Sequence, residues 1–216
     1  MNGIVEPGSV WRMDSRRDAI RAAYDADAAR RDAMTPDEWR TAVVDEWKNM
    51  LVEKGLRSVL ELGCGTGQLS AHMVTASFDV TAIDLSDANV EAARARGVDA
   101  AVGDFTQLPF QKETFDAAFA INTLLHVATE DLGACLMGIR DVLRPQGSLL
   151  IVVWGGRDHE GPIDDEWLEP PRYFRFYTDD QFAALPTPGF RRVRSEMLVA
   201  NNDAGLHPQV TWLEAT

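Results

Sequence analysis

Residues 59–70 read VLELGCGTGQLS, with Gly63, Gly65 and Gly67 at alternate positions, Glu61 two residues before the first and Cys64 between the first pair. A short apolar run precedes the glycines and a helical run follows them, which describes a strand turning tightly into a helix. Such a turn lets backbone N–H groups approach a ligand and aims the positive end of the helix at it. The spacing discriminates among ligands. A phosphate-cradling P-loop requires Lys-Ser/Thr after its last glycine, and Gln68-Leu69 stand there. A dinucleotide fold uses G-x-G-x-x-G, and Gln68 occupies the third glycine of that spacing. Two carboxylates lie further on. Asp84 closes the run DVTAID, and Asp104, followed by Phe105, closes VDAAVGD.

With these residues in view, VLELGCGTGQLS resembles motif I of the class I S-adenosylmethionine-dependent methyltransferases, written E/D-x-G-x-G-x-G in that family. The resemblance runs from about Val59 to Gly189 and includes LRPQGSLLIV and FYTDDQFAALPTPGF; it is weak over the first fifty residues. It implies a Rossmann-like α/β fold that binds S-adenosylmethionine. By that resemblance the loop of Gly63, Cys64, Gly65 and Gly67 wraps the amino-acid end of the cofactor. Glu61 orders backbone or contacts the same end, and backbone carbonyls near Ile121 and Asn122 accept from the ammonium. Asp84, with Leu85 beside it, takes the ribose hydroxyls; Asp104 contacts the adenine amino group and Phe105 packs on the ring.

Methyl transfer is an in-line displacement at carbon, so the protein mainly positions a nucleophile and excludes water. A base is optional. His126, in INTLLHV just past the fourth strand, is the best-placed titratable group for one, because strand C-terminal ends line the ligand crevice of open α/β sheets. His159 and His207 are weaker candidates. No Asn-Pro-Pro-Tyr-type motif follows the fourth strand, where the chain has INTL, which argues against amino-group methylation of DNA bases or glutamine. Aromatic residues outside the matched region, among them Trp11, Tyr24, Trp39 and Trp47 on one side and Trp154, Trp167, Tyr173, Phe174, Phe176 and Tyr177 on the other, are candidates for an apolar acceptor pocket. Tyr24 and Arg172 are the expected substrate contacts.

The elements that must hold these residues are legible in outline. A helix with a narrow apolar stripe, Ile20, Tyr24 and Ala28, spans about 14–34 and is expected to be peripheral. A second starts at Thr35-Pro36 with Glu38 placed for a capping box, carries Trp39, Val43, Trp47 and Leu51 on one face and stops at Gly55. Strands are expected at 58–62, 79–84, 98–104, 115–122 and 148–154, with helices between them to about Ala76, from Ser86 to Gly97 and from Glu130 to Leu143. That alternation implies a parallel sheet with helices on both faces. Residues 155–178 read as a long irregular loop. Thr178 and Gln181 can box a short helix, and 190–200 and 207–215 read as strands joined by NNDAG, hence antiparallel. The expectation is a seven-stranded, mostly parallel sheet with a C-terminal antiparallel hairpin, divided into an N-terminal helical cap over 1–55 and a cofactor-binding domain over 56–216.

Composition narrows the partners. The 216 residues, 45% hydrophobic and 25% charged, suit one soluble globular core. Thirty-four acidic against 21 basic residues give a net charge of −13, which repels long nucleic acids, and Arg16-Arg17 and Arg191 to Arg194 are too short for a phosphate-tracking stripe. Two cysteines without CxxC or Cys/His spacing suggest a reducing compartment and no metal. The N-terminus lacks a signal-peptide pattern and no run reaches membrane-span length, so a cytoplasmic protein is expected. The reading is therefore a methyltransferase acting on a small-molecule O or N acceptor. An RNA methyltransferase and a cofactor-binding module without turnover remain as alternatives.

Overall fold

A computed structural model describes residues 13–163, 166–199 and 205–216. Trp11 and residues 200–204, which hold most of the NNDAG turn, lie outside the described residues. Two helices, α1 (Met13–Asp32) and α2 (Glu38–Glu53), precede the sheet. Next come β1 (Ser58–Leu62), α3 (Gln68–Thr75), β2 (Asp79–Asp84), α4 (Asp87–Ala95), β3 (Asp99–Val102) and β4 (Phe115–Ile121). After β4 the chain makes a single 3-10 turn at Leu124–His126, then α5 (Thr129–Val142) and β5 (Leu143–Gly155). The remainder is β6 (His159–Gly161), β7 (Phe174–Phe176), α6 (Asp179–Ala184), β8 (Phe190–Met197) and β9 (His207–Ala215).

Seven strands form one sheet in the order β3-β2-β1-β4-β5-β9-β8. The first five run parallel, and β9 pairs antiparallel with both β5 and β8. The order reverses direction between β1 and β4, and the crevice beyond the C-terminal ends of those strands is where an open α/β sheet admits a ligand. Both faces are covered. One core layer joins Leu60, Leu62, Ala118 and Leu149 to Leu136 and Ile139 of α5, and the other joins Val59, Phe119 and Leu150 to Trp47 of α2 and Met73 of α3. Trp47 is fully buried against Phe119, with its indole N–H donating to Ser148 Oγ at 2.8 Å, so it serves the core and not a pocket.

The structure departs from the expectations at five places, the first being β5, which begins at Leu143, five residues before the expected strand. Helix α2 begins at Glu38, not at Pro36: Asp37, at φ −55° and ψ 139°, is outside helical geometry, and its carboxylate lies 3.1 Å from Arg40 instead of capping. The third strand ends at Val102, two residues before Asp104, which therefore lies in the following loop. Residues 155–178 contain the two-stranded antiparallel ribbon β6-β7. Finally, α1 is not peripheral. Ala23 and Asp27 are buried, and Asp25 Oδ1 accepts from Ser86 Oγ at 2.5 Å and Ala88 N–H at 3.2 Å, so α1 helps cap the N-terminus of α4.

Candidate functional site

A cavity of about 460 Å³ opens at the C-terminal ends of β1, β2 and β4 and is roofed by α1 and the start of α2. Its lining includes Glu61, Gly63, Cys64, Gly65, Asp84, Leu85, Asp104, Phe105, Ile121 and Asn122 from the sequence-derived cofactor set. Gly67 is the exception. It starts α3 at φ 77°, and a Cβ there would lie 2.6 Å from Ala93 Cβ, so this glycine lets α3 and α4 pack closely. Gly63, at φ 71°, would place a Cβ 2.5 Å from Thr123 Cγ2, so the β1 turn can approach the β4 end only without a side chain.

Asp84 is the hub of the loop. Its Oδ2 accepts from Gly65 N–H at 2.8 Å, while Oδ1 accepts from Ser86 N–H at 3.0 Å and Asn89 Nδ2 at 3.1 Å. Burial raises its pKa and these three donors oppose the rise. A carboxylate offers about four acceptor positions, so one remains on Oδ2 instead of the two anticipated for a pair of hydroxyls. Asp104 is likewise engaged: Oδ1 takes Thr106 N–H at 2.8 Å and Thr106 Oγ1 at 2.7 Å, and Oδ2 pairs with Arg17 Nε at 2.6 Å. Arg16 is buried and pairs with Asp131 at 3.1 Å. Arg16-Arg17 is thus part of the cavity wall, not a solvated helix face.

Glu61 is buried beneath the loop, where it accepts from Ser70 Oγ; burial and the nearby Asp84 push its pKa up to about 8. Burial also raises the Cys64 thiol, which stays protonated and donates to Gly65 O at 3.4 Å. Asn122 has φ 57°, and both polar atoms of its buried amide lack a hydrogen-bond partner among the described residues. Orphaned amide atoms on a cavity wall are expensive unless a ligand satisfies them.

On the other side of the cavity the structure brings together Tyr24, His126 and Arg172, from α1, the turn after β4 and the segment before β7. His126 Nδ1 faces the Tyr173 carbonyl at 2.7 Å, so Nδ1 carries the proton and Nε2 accepts from the Tyr24 hydroxyl at 2.8 Å. Burial lowers the His126 pKa to about 3. Arg172 donates to Tyr24 Oη at 3.2 Å and clamps Glu166 through Nε at 2.8 Å and Nη2 at 3.1 Å. Its guanidinium lies over the rings of Tyr24 and Phe174. His159 pairs with Gly161 O on β6 and His207 with Asp179, so neither reaches the cavity.

Of the anticipated aromatics, Tyr24, Trp154 and Phe174 line the cavity, and Trp39 packs edge-on against Trp154 at 5.6 Å. Trp167 is exposed, while Tyr173, Phe176 and Tyr177 are buried outside the lining. Sequence reasoning did not single out Arg31 and Arg40, which also line the cavity. The signal was present for Arg31, since Arg17, Ile20, Tyr24 and Arg31 recur at helical spacing along one face of α1. Among the described residues no group of three or more His, Cys, Asp or Glu could hold a metal ion, and no helix is long and apolar enough to cross a membrane.

Comparison with known proteins bears on the fold that holds this cavity. Residues 59–147, roughly two fifths of the chain, match the family described as "Methyltransferase domain". An O-methyltransferase of Penicillium expansum, cnsE, is 35% identical over 128 residues, covering 52% of this chain and 45% of that protein. A probable tRNA methyltransferase 9B of Homo sapiens is 35% identical over 97 residues, covering 44% of this chain and 21% of that protein. The chain thus spans less than half the length of these curated relatives. Among solved structures, the 1,6-didemethyltoxoflavin-N1-methyltransferase of Burkholderia thailandensis, crystallised with 1,6-didemethyltoxoflavin and S-adenosylhomocysteine, superposes with TM-score 0.74 at 21% identity over 98% of this chain and 93% of that one. The fold is that of the class I methyltransferases, and residues 59–147 match the methyltransferase-domain family.

Proposed function

We propose that this chain, built around a methyltransferase domain of the class I fold, is an S-adenosylmethionine-dependent methyltransferase that methylates an O or N atom of a small molecule. The observation that carries the reading is the convergence of the glycine loop, Asp84 and the unpartnered Asn122 amide on one cavity. When bound, the cofactor supplies an electrophilic methyl group on a positive sulfur. In this reading the remaining Asp84 acceptor position holds a ribose hydroxyl, with Leu85 flanking it, and Asp104 and Phe105 receive the adenine. The loop of Gly63, Cys64 and Gly65 receives the amino-acid end, with Glu61 beneath it; Gly67 shapes that loop through helix packing. The Ile121 carbonyl and the Asn122 amide take the ammonium and carboxylate.

His126 acts in this account as a positioning residue for Tyr24. Its Nε2 is occupied, and a pKa of about 3 makes it a poor proton acceptor at neutral pH. Tyr24 and Arg172 contact the acceptor, and α1 keeps water from the crevice. The chain divides into a cap over 1–55 and a cofactor domain over 56–216, and a reducing cytoplasm suits its free, buried Cys64 and Cys135.

The tRNA methyltransferases among its relatives support a second reading, an RNA acceptor; the net charge of −13 weighs toward a small molecule. Incubation with methyl-labelled cofactor and either a panel of small phenols, acids and amines or bulk tRNA separates the two. Label in the small-molecule fraction supports the first reading and label in tRNA the second; cofactor binding with transfer to neither indicates a binding module.

A further inference from the structure

Resting on the methyltransferase reading, we infer that the acceptor is an organic acid, an aromatic or aliphatic carboxylate whose anionic group is held by the guanidiniums of Arg31 and Arg40. The two arginines line the cavity and each lies near one carboxylate, Arg31 Nε 3.3 Å from Asp27 and Arg40 Nε 3.1 Å from Asp37, with neither Nε in hydrogen-bond geometry. Their Nη atoms make no hydrogen bond among the described residues. Asp27 is already spoken for. Arg30 holds both of its oxygens, at 2.6 and 2.7 Å, so Arg31 adds a second guanidinium to one charge. Arg31 and Arg40 share this end of the cavity with Arg172, and Arg31 also acts electrostatically on Asp84.

Arg31 Cζ lies 4.8 Å from the Tyr24 ring centroid and Arg40 Cζ lies 5.2 Å from that of Trp39, so each guanidinium sits beside an aromatic ring. Burial and the neighbouring Arg31 lower the pKa of Arg40, the situation an incoming anion relieves. A planar guanidinium matches a carboxylate with two parallel N–H donors. The cavity therefore carries both signs of charge. Asp84 suits a cationic cofactor at the sheet end, and Arg31 and Arg40 suit an anion beside it. Trp154, Ile163 and Phe174 offer the apolar surface for the body of the acid.

Calorimetric titration with benzoate and phenylacetate, against the isosteric neutral benzamide and phenylacetamide, tests this in the presence and absence of S-adenosylhomocysteine. The acids should bind at least about tenfold more tightly than the amides, with a preference that weakens as salt is raised. In the R31Q/R40Q double variant the preference should fall below about threefold, and an unchanged circular-dichroism spectrum with a cooperative thermal melt will report an intact fold; R31K/R40K serves as the charge-preserving control if the first does not fold. Equal affinity for acids and amides, no detectable binding of either acid, or an acid preference that survives charge removal overturns the inference. A protein that binds S-adenosylhomocysteine without preferring acids refutes this inference alone. One that prefers acids but does not bind the nucleoside refutes the methyltransferase reading instead.

Discussion

The Tyr24 hydroxyl lies 2.8 Å from Nε2 of His126, joining α1 to the turn after β4 across 102 positions of sequence. The direction of the bond follows from the far side of the ring, where Nδ1 donates to the Tyr173 carbonyl. One imidazole thus fixes the orientation of a phenol in the cavity wall. Arg172, donating to the same phenol oxygen, ties in the segment before β7.

Replacing Tyr24 with Phe leaves a buried imidazole nitrogen without its donor, which costs about 1–3 kcal/mol. The variant should melt at lower temperature and turn over more slowly, while cofactor affinity stays within about twofold because Tyr24 stands on the acceptor side. Thermal melts and steady-state kinetics check both. Unchanged stability and unchanged turnover together would remove Tyr24 from the site.

His126 should remain neutral across the physiological range. Its folded pKa of about 3 lies below the usual 6.5, so the stability it contributes is complete above 6.5 and is lost as pH falls toward 3. In an NMR titration its ring C–H resonance should not move between about pH 5.5 and 8, where an ordinary histidine would titrate. A midpoint near 6.5 would return His126 to the role of base.

Glu61 gives the opposite sign. Its folded pKa, about 8, lies above the ordinary 4.5, so the ligand-free protein gains proton-linked stability below 4.5 and loses it progressively as pH rises to about 8. Glu61→Gln should therefore be more stable than the parent at pH 8, by at least about 1 kcal/mol, and its stability should vary less over that window. Denaturant titrations at several pH values decide this. A variant that is destabilised at every pH would show that the carboxylate is ionised in the fold.

The sheet order and the glycine loop were legible because they are written in local patterns, short apolar runs ending at Asp84 and near Asp104 and glycines at positions that must turn or pack. The ribbon β6-β7 was not. Strands of three residues carry no alternation, and HEG and FRF pair only because the intervening chain folds back. The start of α2 was misread because Thr35-Pro36 offers a respectable local signal that Asp37, drawn to Arg40, does not complete. The largest omission was the polarity of the cavity roof. Arg17, Arg31 and Arg40 look like solvated surface in sequence, and only the docking of α1 and the start of α2 over the sheet ends turns them inward.

The central claim is that the Asp84 crevice binds S-adenosylmethionine. Isothermal titration of the ligand-free protein with S-adenosylhomocysteine, repeated with Asp84→Ala and Asp84→Asn, tests it most directly. The account predicts one site per chain and an affinity at least about tenfold weaker in both variants, the loss expected for a charge-assisted hydrogen bond together with its hold on the Gly65 backbone. No binding by the parent protein, or equal affinity in folded Asp84 variants, would contradict it.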